Sequence, residues 1–180
     1  LTSPYPMVPL RRVAELTRRG ASITLDETGS IPVIGPAAVR PMMLETSAVR
    51  VTTEDKLPER SLPIRPDDLL LNAIGTQLGS VAVAPEEVHG SHISQHLILI
   101  RPDTTQVLPA YLAAALNSDF VKPELKRRAR GAVQASLSVT SLLEISVPVP
   151  PLDIQRQVVT ALDAARENLE ATRKKLLCTE

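Results

Sequence analysis

The chain has one cysteine, no tryptophan, one phenylalanine, two tyrosines and no excess of either charge. A lone Cys178 cannot form a disulfide within its own chain, so no fold stapled by disulfides is available to it. No apolar run approaches the ~20 residues that a membrane helix needs. The N-terminus also lacks the basic, apolar and small-residue order of a secretory signal, so the expected compartment is the cytoplasm, with no membrane association. Twenty Lys and Arg balance twenty Asp and Glu, which argues against gripping nucleic acid by bulk charge. Gly75-Thr76-Gln77-Leu78-Gly79 lacks the Lys and the spacing of a phosphate-cradling loop. Leu1 stands where an initiator Met would, as expected of a piece cut from a longer protein.

What is present is an ordinary core. A hydrophobic fraction of 43% with 22% charge over 180 residues fits one globular domain plus an extension. Charge is uneven locally: 101–130 holds six basic and three acidic residues, whereas 152–180 holds five of each. A neutral total can therefore hide one basic face.

Along the chain, three prolines in 1–9 predict an extended lead-in, and Leu10, Val13 and Leu16 predict a short helix over 10–17. Short strands are expected at 23–25 and 30–34, with Pro32 placing the second at a sheet edge. Residues 34–43 read as irregular, and 49–53 is β-rich. A turn at Arg65-Pro66-Asp67-Asp68 feeds a buried strand at 69–72, and further strands are expected at 79–84 and 96–100. Between those two, 85–95 reads as a polar loop. Helices are expected over 108–116, with Pro109 in the first turn, and over 120–130, ending in Lys126, Arg127, Arg128 and Arg130. Val158, Leu162, Ala165, Leu169, Thr172 and Leu176 follow the alternating four-three spacing of a coiled-coil seam, on a helix that starts after the Pro-Val-Pro-Pro break.

Two patterns hint at catalysis, and the first is common by chance. Asp26 with Glu54 and Lys56 could hold Mg²⁺ as metal-dependent nucleases do. His89, His92 and His96 have helical zinc spacing, but Gly90 and the strand-like HLILI run argue against a helix there.

The order of the short motifs carries more. The stretch from Arg130-Gly131-Ala132-Val133-Gln134-Ala135-Ser136 through Ile145-Ser146-Val147-Pro148-Val149-Pro150-Pro151-Leu152-Asp153-Ile154-Gln155-Arg156 resembles the close of a target-recognition domain from the specificity subunit of type I restriction-modification systems. Upstream, Ser30-Ile31-Pro32-Val33-Ile34, Asp67 to Asn72, Gly79 to Val83, Ser94 to Pro102 and Tyr111 to Ser118 occur in that family's order, so the resemblance covers nearly the whole chain. The lead-in departs from it, having Tyr5 and no Trp where the family is usually aromatic.

The resemblance implies an α+β fold: one globular target-recognition domain over 1–151, with a twisted mixed β-sheet and short flanking helices. A long coiled-coil-type spacer or dimerisation helix over 152–180 follows. It implies a non-catalytic module that binds double-stranded DNA and directs a partner N6-adenine methyltransferase, and in some systems a nuclease subunit. The chain has no Asn/Asp-Pro-Pro-aromatic methyltransferase motif, so S-adenosylmethionine is expected on the partner and no cofactor in this chain. Family members carry two such domains; this chain has room for one. It is therefore either a half-subunit that forms a homodimer or pairs with a second spacer helix, or a fragment of a longer or fused protein.

Side chains that hydrogen-bond base edges or phosphates supply the site residues. Base readout is expected from Arg40, Asn72, Thr76, Gln77, His92 and Gln95, and backbone positioning from Lys126, Arg127, Arg128, Arg130, Gln134 and Ser136. The alternative is a regulatory or decoy partner of a methyltransferase complex that keeps the helix seam without DNA readout.

Overall fold

The computed structural model describes the backbone of residues 3–131 and 135–177, and their side chains apart from 170 and 173–177. The elements in order are β1 (Met7–Pro9), β2 (Ala14–Arg19), β3 (Ile31–Ile34), β4 (Val39–Arg40), β5 (Met43–Leu44), β6 (Arg50–Thr52), β7 (Leu69–Asn72), β8 (Val81–Val83), β9 (His92–Ile93), β10 (Leu97–Pro102), α1 (Pro109–Asn117), α2 (Lys122–Arg128), α3 (Val139–Leu143), β11 (Ser146–Pro148) and α4 (Leu152–Leu177). The class is α+β.

The centre is an antiparallel sheet of order β2-β10-β7-β8. Its two inner strands, LLLN and LILIRP, are almost continuously apolar because the sheet is covered on both faces. Side chains alternate across a strand, so Leu69, Leu71, Ile98 and Ile100 join Leu112 and Leu116 of α1, Leu125, Leu142 and Val147 on one face. Leu70, Leu97 and Leu99 join Ile34, Val39, Ile64, Val88 and Ile93 on the other. Truncating one of these fully buried leucines to Ala would cost about 2–5 kcal/mol.

A smaller mixed sheet, β6-β3-β9, covers the second face, with β3 antiparallel to β6 and parallel to β9. The expected single mixed sheet is thus two principal sheets, and the larger is purely antiparallel. Pro32 lies on the middle strand, not an edge strand; it pairs with Val51 alone, while Val33 is the residue paired on both sides.

The helix expected over 10–17 is a single 3-10 turn, Leu10–Arg12, followed by β2. Leu10 and Val13 are buried at that turn, and pairing with β10 overrides the three-residue spacing. Residues 23–25 form no strand, and the loop expected over 85–95 contains a 3-10 turn and β9. The lead-in strand β1 pairs with β11, and the Tyr111 hydroxyl donates to the Pro148 carbonyl at 3.0 Å, which clamps the exit just ahead of α4.

Gln155, fully buried in the first turn of α4, roots that helix. Its Nε2 donates to the carbonyls of Gln106 (3.0 Å) and Pro150 (2.8 Å), and its Oε1 accepts from the Leu108 N–H at 2.8 Å. Beyond Val159, every described side chain of α4 is exposed.

Candidate nucleic-acid interface

Because the central sheet is antiparallel, one of its ends gathers the exit of β2 at Arg19, the exit of β7 at Asn72, the entry of β8 at Val81 and the entry of β10 at Leu97. The connections there are bonded to one another. Gly20 N–H donates to Leu97 O (3.0 Å), Ala73 N–H to His96 O (3.0 Å) and Leu137 N–H to Ala73 O (2.8 Å). Arg130 and Ser136 exchange backbone hydrogen bonds at 2.9 and 2.8 Å, and Ser136 bridges Ile74. Thr76, Gln95, Arg130 and Ser136 are therefore brought to one end of the sheet.

Gly20 makes this approach possible: a Cβ there would sit 2.2 Å from the Ser94 carbonyl oxygen. In the 73–79 turn, Gly75 and Gly79 take φ of 71° and 81°, where a side chain would be strained.

Arg19 ties the loops together. Its guanidinium donates to Gln95 O at 3.0 Å, to Ser136 Oγ at 3.3 Å and to the Leu137 carbonyl. Half-burial lowers its pKa, but a guanidinium stays charged at any physiological pH. Next to it, Arg18, Arg60 and the exposed Gln95 line a cleft of about 370 Å³. A second cleft, of about 240 Å³, carries Arg50, Ser94, Gln95 and His96. Sequence reasoning missed Arg18, Arg19 and Arg60.

The other expected readers divide. Thr76 is exposed, and Gln77 is half-buried with its Oε1 accepting from Ser80 Oγ at 3.2 Å. Asn72 is corrected: it is fully buried, with Nδ2 donating to the carbonyls of Pro36 (2.9 Å) and Val39 (3.3 Å), so it serves the fold and cannot reach a base edge. His92 is corrected likewise. It is buried in β9 with Nδ1 2.7 Å from Ser61 Oγ, and desolvation lowers its pKa, which favours the neutral ring. Arg40, on β4, is half-exposed and pairs with Glu45 at 3.5 Å.

In the basic stretch, Lys126 is exposed, but Arg127 and Arg128 both donate to Glu124, at 2.7 and 2.6 Å. Those bonds hold the Glu124 carboxyl down at about 2. The helix end is thus partly neutralised, and Arg127 is raised in turn by the same carboxylate. Gln134 lies outside the described residues.

On α4, Val158, Leu162 and Leu169 are exposed apolar residues, at 37%, 38% and 70%, and Ala165 and Thr172 are also exposed. The Leu176 side chain lies outside the described residues. Leu162, Ala165 and Leu169 face a groove of about 800 Å³ floored by Pro41, Met42, Val83 and Pro109.

Asp26 and Lys56 form an ion pair, and Thr28 Oγ1 also donates to Asp26 at 2.7 Å, so this carboxylate is held by its neighbours. Among the described residues, no group of three or more His, Cys, Asp or Glu is arranged to hold a metal ion, and no helix is long and apolar enough to cross a membrane.

A Methanocaldococcus jannaschii chain, named for the specificity subunit of the type I restriction enzyme MjaX, is 31% identical over 98 residues, covering 53% of this chain and 23% of that one. The HsdS subunit from Thermoanaerobacter tengcongensis superposes with a TM-score of 0.73 at 20% identity over 97% of this chain and 45% of that one. The type I restriction-modification S subunit from M. genitalium gives 0.60 at 13% identity over 95% and 42%. The chain thus spans less than half the length of these relatives. A family model, the type I restriction modification DNA specificity domain, matches residues 3–177, and the chain belongs to that family.

Proposed function

We propose that this chain is a sequence-reading DNA module of a type I restriction-modification system, with its reading surface at the loop end of the central sheet. The observation that carries the reading is the convergence of the 73–79 and 94–96 segments with Arg130 and Ser136, alongside Arg18, Arg19, Arg60, Thr76 and Gln95, in a chain of the specificity family. Arginines position the protein on phosphates, while Thr and Gln hydrogen-bond base edges in the major groove. Net neutrality is compatible with this, because Arg18, Arg19 and Arg60 are gathered at one cleft.

The chain performs no chemistry itself. Methyl transfer, with its S-adenosylmethionine, belongs to a methyltransferase subunit, and cleavage, where it occurs, to a nuclease subunit, all in the cytoplasm. The recognition unit runs to Pro151. From Leu152 the helix acts as spacer, pairing its Val158, Leu162, Ala165 and Leu169 seam with a second spacer helix from another copy or another part of a longer chain; exposed apolar residues at heptad spacing support that role.

The test is enrichment of duplexes from a random library by the purified chain at low salt. A short shared sequence is expected. An unenriched library, with a folded protein, would favour the regulatory reading.

A further inference from the structure

The cleft beside Gln95 has a chemistry of its own. Arg18 and Arg60 are exposed at its walls, and neither forms an ion pair with an acidic side chain among the described residues. The third cation, Arg19, is already committed to Gln95 O, Ser136 Oγ and the Leu137 carbonyl. By contrast, Arg127 and Arg128, in the basic stretch most conspicuous in the sequence, share Glu124. Arg18 and Arg60 thus bring two charges without acidic partners to one cleft, 42 positions apart in sequence but joined in space.

We propose that Arg18 and Arg60 form an anion seat for one backbone phosphate of duplex DNA, and that this seat sets the register in which Gln95 meets a base. Two guanidinium forks suit a phosphodiester's paired oxygens better than a neutral base edge. Arg19 fixes the Gln95 carbonyl, so the Gln95 side chain leaves a backbone held next to the seated phosphate. The seat deepens the DNA reading above and rests on it for the identity of the ligand.

The experiment measures DNA affinity against salt for the wild type, Arg18→Gln, Arg60→Gln and the double variant, together with the sequence each enriches. The double variant, which removes the seat for that one phosphate, is expected to flatten the slope of log affinity against log salt by about one unit, and each single variant by a part of that. One unit is about a fourfold change between 50 and 200 mM salt. Because both side chains are exposed, the thermal midpoint should stay at the wild-type value.

Unchanged slopes in all three folded variants would overturn the seat while leaving sequence enrichment by the wild type, and hence the DNA reading, intact. Flattened slopes without any sequence preference would keep the phosphate contact but overturn the register claim and the sequence-reading function with it. A third arm titrates inorganic phosphate at constant ionic strength, followed by arginine side-chain NMR signals. Phosphate binding that the double variant abolishes, with an unchanged DNA slope, would assign the cleft to a free anion and overturn the proposal.

Discussion

Replacing Gln155 by Ala should loosen the joint between the domain and α4 more than any surface change on that helix. The side chain is fully buried and makes three hydrogen bonds, two as donor to Gln106 O and Pro150 O and one as acceptor from Leu108 N–H. At about 1 kcal/mol net for each bond, with the orphaned backbone groups adding to it, the loss is about 3–5 kcal/mol. That is a large part of a typical stability of about 5–15 kcal/mol. Gln155→Glu separates the donor role from the acceptor role. Its carboxylate could still accept from Leu108 N–H but would face two carbonyls, and burial would raise its pKa above the unfolded value of about 4.3. The sign follows: the folded state would bind the proton more tightly, so the variant's stability should fall as pH rises from about 4 and level off above the raised pKa. Urea unfolding followed by far-UV circular dichroism between pH 4 and 8 reads both variants. An Ala variant within about 1 kcal/mol of wild type, or a Glu variant with the wild-type pH profile, would refute this account of the joint.

Arg19→Met should cost about 2–4 kcal/mol, since it leaves the Gln95 and Leu137 carbonyls and the Ser136 hydroxyl without their donor, and hydrogen exchange should quicken in 94–97 and 136–138 ahead of the core strands. Asp68→Ala strands the bidentate Arg101 fork, with bonds of 2.8 and 2.7 Å, at a half-buried site, and also removes the acceptor for Arg65 N–H; about 3 kcal/mol should be lost in thermal unfolding. The Glu124 carboxyl, held at about 2 in the fold against an ordinary 4.5, contributes fully above pH 4.5 and loses its contribution as pH falls towards 2; carboxyl NMR titration should show this, and Glu124→Gln should abolish that part of the acid profile. His92 runs similarly: burial depresses its pKa, so stability at that site should be complete above pH 6.5 and decline as pH drops below it, a decline that His92→Gln should remove from the pH–stability curve.

The elements with strong local periodicity were legible in the sequence. The continuous apolar runs of β7 and β10 and the alanine-rich α1 with its N-terminal Pro109 sit within a residue or two of expectation. What failed depends on partners distant in sequence. Leu10, Val13 and Leu16 fit a helix locally, but β10, whose residues lie 79 to 88 positions from their partners, draws Ala14–Arg19 into the sheet. Asn72 and His92 look like loop-end polar residues until Pro36, Val39 and Ser61 close over them. Arg19 carries no local signal at all: its partners lie 76 to 118 positions away. The basic run at 126–130 was conspicuous in sequence, yet Glu124 neutralises two of its members, and the cations left without acidic partners at the cleft come from the inconspicuous TRRG and PERS segments.

The most direct measurement is deuterium uptake with and without the duplex that the chain enriches. Protection is predicted in peptides spanning 18–21, 58–61, 73–79 and 93–97, at the loop end of the sheet, with 101–109 and the root of α4 unchanged. Protection at the α4 end, with the loop end exchanging as freely as without DNA, would contradict the placement of the reading surface.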